Sequence, residues 1–81
     1  MNINVRLFAF AKQAAGADSV ELTVSDGATV ADVRKALLAA VPDLSAAAKH
    51  LLFAVNTEYA SDAKVVSATD EVACIPPVSG G

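Results

Sequence analysis

The residue types that do chemistry on their own are scarce in this chain. It has one histidine, His50, and one cysteine, Cys74. A metal site needs about three or four clustered ligands, and a Cys–His nucleophile pair would require these two residues to meet. Cys74 lies in an apolar, strand-like segment, where a buried and inert thiol is the expected outcome. His50 closes an alanine-rich helical stretch, where an imidazole beside helix carbonyls needs no catalytic role. The carboxylates Asp70 and Glu71 are adjacent, so on a strand they point to opposite faces and form no acid–base pair. A turn leading into a strand is their expected role. The glycines are Gly16, Gly27, Gly80 and Gly81, a spacing that builds no phosphate-cradling loop. No self-contained active site is legible.

What remains is the segment Pro76-Pro77-Val78-Ser79-Gly80-Gly81. Proline fixes φ near −65° and offers no N–H, so this segment leaves the sheet and stays extended. Its reach is at most roughly 20 Å, at ~3.3 Å per residue. Gly80 and Gly81 carry no Cβ, so such an end enters a narrow channel and adopts backbone angles closed to other residues. A frayed terminus is the ordinary fate of a Gly-Gly ending; here two prolines aim the segment and a strand anchors it.

The elements that must position this tail follow from the hydrophobic pattern. Ile3, Val5, Leu7 and Ala9 alternate with Asn2, Asn4, Arg6 and Phe8, which predicts a strand over residues 2–10. A helical turn over Lys12 to Ala15 stops at Gly16. Val20, Leu22 and Val24 mark a second strand, closed by the Asp26-Gly27 turn. Thr29 with Asp32 forms a capping-box start for a helix whose inner side carries Val30, Val33, Leu37 and Val41, with Arg34 and Lys35 opposite. Pro42 ends it, and a second short helix is expected over residues 44–51. Leu52 to Val55 is a buried strand closed by Asn56-Thr57. Residues 59–67 predict a short edge strand plus loop, and Glu71 to Ile75 is the last strand. This order fits a small α+β sheet with helices on one face. In such a sheet the first and last strands can be parallel neighbours at the centre.

Composition narrows the function classes. The 81 residues suffice for one small domain. Eighteen are alanine, so the core must rest on valine, leucine and three phenylalanines. The longest apolar run, Ala36 to Val41, falls far short of the ~20 residues a membrane helix needs. The net charge of −3 argues against phosphate backbones and for docking on a basic protein surface. A lone cysteine and no secretion signal lead us to expect a cytoplasmic setting, with no nucleic-acid or membrane partner.

The run Asp70-Glu71-Val72-Ala73-Cys74-Ile75-Pro76-Pro77-Val78-Ser79-Gly80-Gly81 resembles the ending of the small, sulfur-carrier subunits of molybdopterin synthase (MoaD-like). Leu7-Phe8-Ala9 ahead of Gly16, and Ala54-Val55-Asn56, also fit. The resemblance spans nearly the whole chain and is most specific at the Pro-Pro-Val-Ser-Gly-Gly ending. It implies a ubiquitin-like β-grasp domain over residues 1–75, with one main helix on one face of a mixed sheet, and an extended tail over residues 76–81.

The resemblance also implies a function. Gly81 would be adenylated by a ubiquitin-activating-like adenylyltransferase that consumes ATP, converted to a thiocarboxylate with sulfur from a persulfide enzyme, and would donate that sulfur to a pterin precursor. The partner in that last step would be the large synthase subunit, in a heterotetramer. Pro76, Pro77, Val78, Ser79 and Gly80 would thread the partner's channel, and the carrier itself would hold no stable cofactor. The chemistry suits the residues, because a C-terminal carboxylate, with a pKa of about 3.5, is ionised at neutral pH and asks the carrier for no base or metal.

Three positions depart from the family pattern. Lys12-Gln13 stands where Arg-Glu is frequent, Thr69 where a turn glycine is frequent, and Ile75 where an aromatic is frequent.

Alternation also predicts where partners dock. Phe8 is the large apolar residue on the polar side of the first strand, and Ile75 is out of phase with Val72. If these strands are neighbours, Phe8 and Ile75 share an outward face near the tail, and Tyr59 joins them. Scattered surface hydrophobes are the plain alternative. Three rival functions stay open: sulfur donation in thiamine-type thiolation, ubiquitin-like conjugation to lysines, and a simple interaction domain with a dispensable tail.

Overall fold

The computed structural model describes residues 1–76. Strand β1 (Asn2–Leu7) alternates as expected, with Ile3, Val5 and Leu7 buried and Asn2, Asn4 and Arg6 exposed. It ends at Leu7 rather than at residue 10. Ala9 takes a left-handed φ of 53°, which breaks the extended run and starts helix α1 (Ala9–Ala15). The expected helical turn is the second half of this helix. Gly16, at φ 70°, closes it by donating its N–H to the Lys12 carbonyl at 2.9 Å, the left-handed stop that glycine adopts without penalty. Lys12 pairs with Asp18 at 2.7 Å.

Strand β2 (Ser19–Thr23) runs antiparallel to β1, and helix α2 (Val30–Ala40) follows. The Asp32 carboxylate accepts from the Thr29 N–H at 3.0 Å and from its hydroxyl at 3.2 Å, which fixes the helix start where the sequence placed it. Val30, Val33 and Leu37 are buried against the sheet. Beyond Pro42 the chain forms a 3-10 helix over Pro42–His50, longer than the short helix expected over residues 44–51, because proline suits a first helical position. Strands β3 (Leu52–Val55), β4 (Glu58–Ala60) and β5 (Val72–Ile75) complete a sheet of order β2-β1-β5-β3-β4. β1 and β5 are parallel central neighbours, and the other pairs are antiparallel.

Two packing devices were hidden in the sequence. The loop after β4 returns to α2, where the Val30 N–H donates to the Lys64 carbonyl at 2.9 Å and the Ala31 N–H to the Asp62 carbonyl at 3.1 Å. These first-turn donors have no partner inside the helix, so the loop satisfies them and buries Val66 in the core. Arg34, placed by the pattern on the solvent side, is instead a clamp. Its Nη1 donates to the Ala48 and Leu51 carbonyls at 2.8 and 2.7 Å, its Nη2 to Asp62 at 2.8 Å. Its guanidinium lies 4.9 Å from the Phe53 ring centre. Among the described residues no polar side chain is buried, so the fold is held by apolar packing and backbone pairing.

Candidate functional site

The two faces of the sheet differ. Val5, Leu7, Phe53, Val55, Val72 and Cys74 point into the core beneath α2. Residues of opposite parity form an uncovered face. Cys74 is fully buried, and burial pushes its thiol up to about 11 in spite of the Arg34 charge. The thiolate, the reactive form, is therefore suppressed at neutral pH. His50 is exposed at the end of the 3-10 helix, so the two residues share no site. Among the described residues no cluster of three or more His, Cys, Asp or Glu is placed to hold a metal. No helix among them is long and apolar enough to cross a membrane.

The uncovered face holds a groove of about 280 Å³. Phe8, Tyr59 and Ile75 all line it, so the two residues singled out by alternation and the Tyr59 added to them come together. Phe8 and Tyr59 are 41% and 71% exposed, whereas Ile75 is half-buried. Strand register explains the shape. Ala54 of β3 pairs with Ala73 of β5 on one side and Tyr59 of β4 on the other, and Ala73 also pairs with Arg6. Two alanines thus make a low floor between taller walls. Arg6 leans toward the Phe8 ring, 5.5 Å from its centre, and Glu71 lies at the opposite rim.

The floor residues Ala54 and Ala73, and Leu52 opposite Ile75, were not anticipated. The signal was available, since each alternates with the buried Phe53 or Cys74. It becomes readable only once β3 is known to lie beside β5.

Ile75 is the last residue of β5, and the chain passes from this face through Pro76, which is buried. The expected channel-binding residues Pro77, Val78, Ser79 and Gly80 and the reacting Gly81 lie outside the described residues. The carboxylate of Asp70, at the turn into β5, accepts from the Asn56 amide at 2.9 Å and the Ser67 N–H at 2.8 Å. These bonds, that to Asn56 first, hold it below the ordinary carboxylate value. Its role is structural, as the sequence implied.

A mixed five-stranded sheet with a parallel central pair, one face covered by α2 and the other open, defines a ubiquitin-like β-grasp protein. The chain belongs to the ThiS family, whose profile matches residues 5–81, and it is related to curated sulfur carriers along its whole length. It is 39% identical to the molybdopterin synthase sulfur carrier subunit of Chlamydomonas reinhardtii, with 100% of each chain covered. It is 36% identical to small archaeal modifier protein 1 of Haloferax volcanii, over 94% of this chain and 97% of that one. A crystal structure of SAMP1 from Haloferax volcanii superimposes with a TM-score of 0.87 at 35% identity, covering 100% of both chains.

Proposed function

We propose that this chain is the cytoplasmic sulfur carrier of a molybdopterin synthase and that Gly81 is the residue that reacts. An oxygen of its carboxylate attacks the α-phosphorus of ATP on an adenylyltransferase of the ubiquitin-activating kind, and pyrophosphate leaves. A persulfide sulfur on a donor enzyme then attacks the acyl carbon and expels AMP. A thiol attacks the donor enzyme's own sulfur in the resulting acyl disulfide, forms a new disulfide with it, and releases the transferred sulfur as the thiocarboxylate on Gly81. The thiocarboxylate delivers its sulfur to a pterin precursor held by the large synthase subunit. Pro76 is buried in the domain, so the segment that threads the partner's channel is Pro77 to Gly80, and ATP is consumed on the partner rather than held by the carrier.

The observation that supports this reading is the groove of Phe8, Tyr59 and Ile75, which runs along β5 and offers apolar surface on which a partner could dock. Kinship with the algal carrier subunit supports it. A carrier that is activated in trans needs a surface to dock and an unhindered end to present, and no base or metal of its own.

Intact mass after incubation with the activating enzyme, ATP and a persulfide donor tests the proposal. The expected product is heavier by the difference between one sulfur and one oxygen. A variant with one residue added after Gly81 should not be adenylated, and if it still exchanged pyrophosphate the assignment of Gly81 would fail. The likeness to the archaeal modifier favours a second reading, conjugation of Gly81 to lysines. That chemistry would instead give a ladder of protein adducts in the same experiment.

A further inference from the structure

The turn joining β3 to β4 is held more firmly than a two-residue hairpin requires. Asn56 and Thr57 both occupy left-handed backbone, at φ 52° and 71°. Asparagine tolerates that region, but for a β-branched threonine it is strained. Such strain persists only where the surroundings over-determine the conformation. The surroundings here are Asp70 and Glu71. The Asn56 N–H donates to the Glu71 carbonyl at 2.8 Å, and its side-chain oxygen accepts from the Glu71 N–H at 2.9 Å. Its side-chain nitrogen donates to Asp70 Oδ1 at 2.9 Å, while Asp70 Oδ2 accepts from the Ser67 N–H at 2.8 Å. Asn56 and Asp70 stand outside the groove, whereas Thr57, Tyr59 and Glu71 line it.

We propose that the Asn56–Asp70 pair is a positioning latch for the docking groove. It ties the Asn56-Thr57 turn to the start of β5 and thereby sets Thr57, Tyr59 and Glu71 along one rim in the form a partner meets. This rests on the reading of the groove as the docking surface. The latch residues act through the rim and not by touching the partner.

The bond pattern supplies a test that separates positioning from simple loss of a side chain. Asn56→Asp alone sets two carboxylates against each other. Asn56→Asp combined with Asp70→Asn remakes every bond. The new carboxylate accepts from the Glu71 N–H and from the amide nitrogen at position 70, whose oxygen accepts from the Ser67 N–H.

Binding to the large synthase subunit from the same source is measured by calorimetry for both variants, with Phe8→Ala for comparison. Amide exchange over residues 57–60 and the denaturant midpoint are followed in parallel. Asn56→Asp should weaken binding by about fivefold or more and speed exchange at the rim. The double variant should return both to near the wild-type values. Wild-type binding by Asn56→Asp, or a double variant as weak as the single one, overturns the latch. If Phe8→Ala binds normally, the docking surface is elsewhere and the latch falls with it. If Phe8→Ala weakens binding while Asn56→Asp does not, the groove stands and the latch alone is wrong.

Discussion

Leu7 and Phe8 are chain neighbours on opposite faces, and under the proposed docking role of Phe8 truncating each to alanine should separate folding from docking. Leu7 is 3% exposed inside the core and Phe8 is 41% exposed on the open face. Leu7→Ala leaves a cavity beneath α2 and should cost about 2–5 kcal/mol of stability. For a domain of this size that is a large share of the total, roughly 0.05–0.15 kcal/mol per residue. Phe8 presents roughly 200 Å² of side chain, so about 80 Å² is still open to a partner. Burying that area on docking is worth about 2 kcal/mol at ~25 cal/mol/Å², or roughly thirtyfold in affinity. The part of Phe8 already covered in the folded domain means its loss should also cost folding about 1–2 kcal/mol.

Denaturant midpoints and calorimetric affinity for the large synthase subunit, measured on both variants, decide the matter. Leu7→Ala should mainly lower the midpoint, and Phe8→Ala should mainly lower the affinity. A Phe8→Ala protein as unstable as Leu7→Ala, with unchanged affinity, would refute the assignment of Phe8 to the docking face.

Gly80→Ala should leave the melting temperature unchanged and, under the proposed threading of a channel too narrow for a Cβ, slow adenylation or sulfur transfer sharply; normal turnover would show that the tail is read loosely. Thr57→Gly relieves a left-handed β-branched residue and should raise stability by up to about 1 kcal/mol, read as a shift in denaturant midpoint. On the acid side, three aspartates sit below their ordinary value of 3.8: Asp18 through Lys12, Asp32 through the Thr29 N–H, and Asp70 through Asn56. Each holds fewer protons folded than unfolded near pH 4, so its contribution is complete above that value and is lost as pH falls through the lowered folded pKa. Chemical denaturation across pH should show a plateau above about 5 and a decline below about 4, and Asp70→Asn should flatten part of that decline.

Local signals were read best. The alternation of β1, the Thr29–Asp32 start of α2 and the Gly16 stop each depend on residues within a few positions of one another, and each is found where the sequence places it. What escaped depends on distant partners. Val66 looks like one more valine in an irregular loop until the loop is seen to satisfy the first turn of α2. Arg34 has the periodicity of a solvent-facing residue, but the carbonyls at the end of the 3-10 helix leave acceptors within its reach. The groove was half legible. Parity alone put Phe8 and Ile75 outward, and the parallel β1–β5 pair brought them together. The alanine floor required knowing that β3 lies against β5, which no local pattern states.

The division of the sheet into two faces also suits the proposed function, in which the chemistry is supplied by partners. In β5 the side chains alternate between Val72 and Cys74, sealed in the core, and Ala73 and Ile75, turned to the groove. One strand thus anchors the domain and floors the groove. Under the proposed function, an end that carries an activated acyl group is best served by a domain that offers no competing thiol. Burial at Cys74, the only cysteine, provides that by keeping its thiol protonated and out of reach. The same apolar packing that stabilises a domain of this size therefore keeps its one thiol silent. Under the proposed function, recognition is left to the open face and reactivity to Gly81.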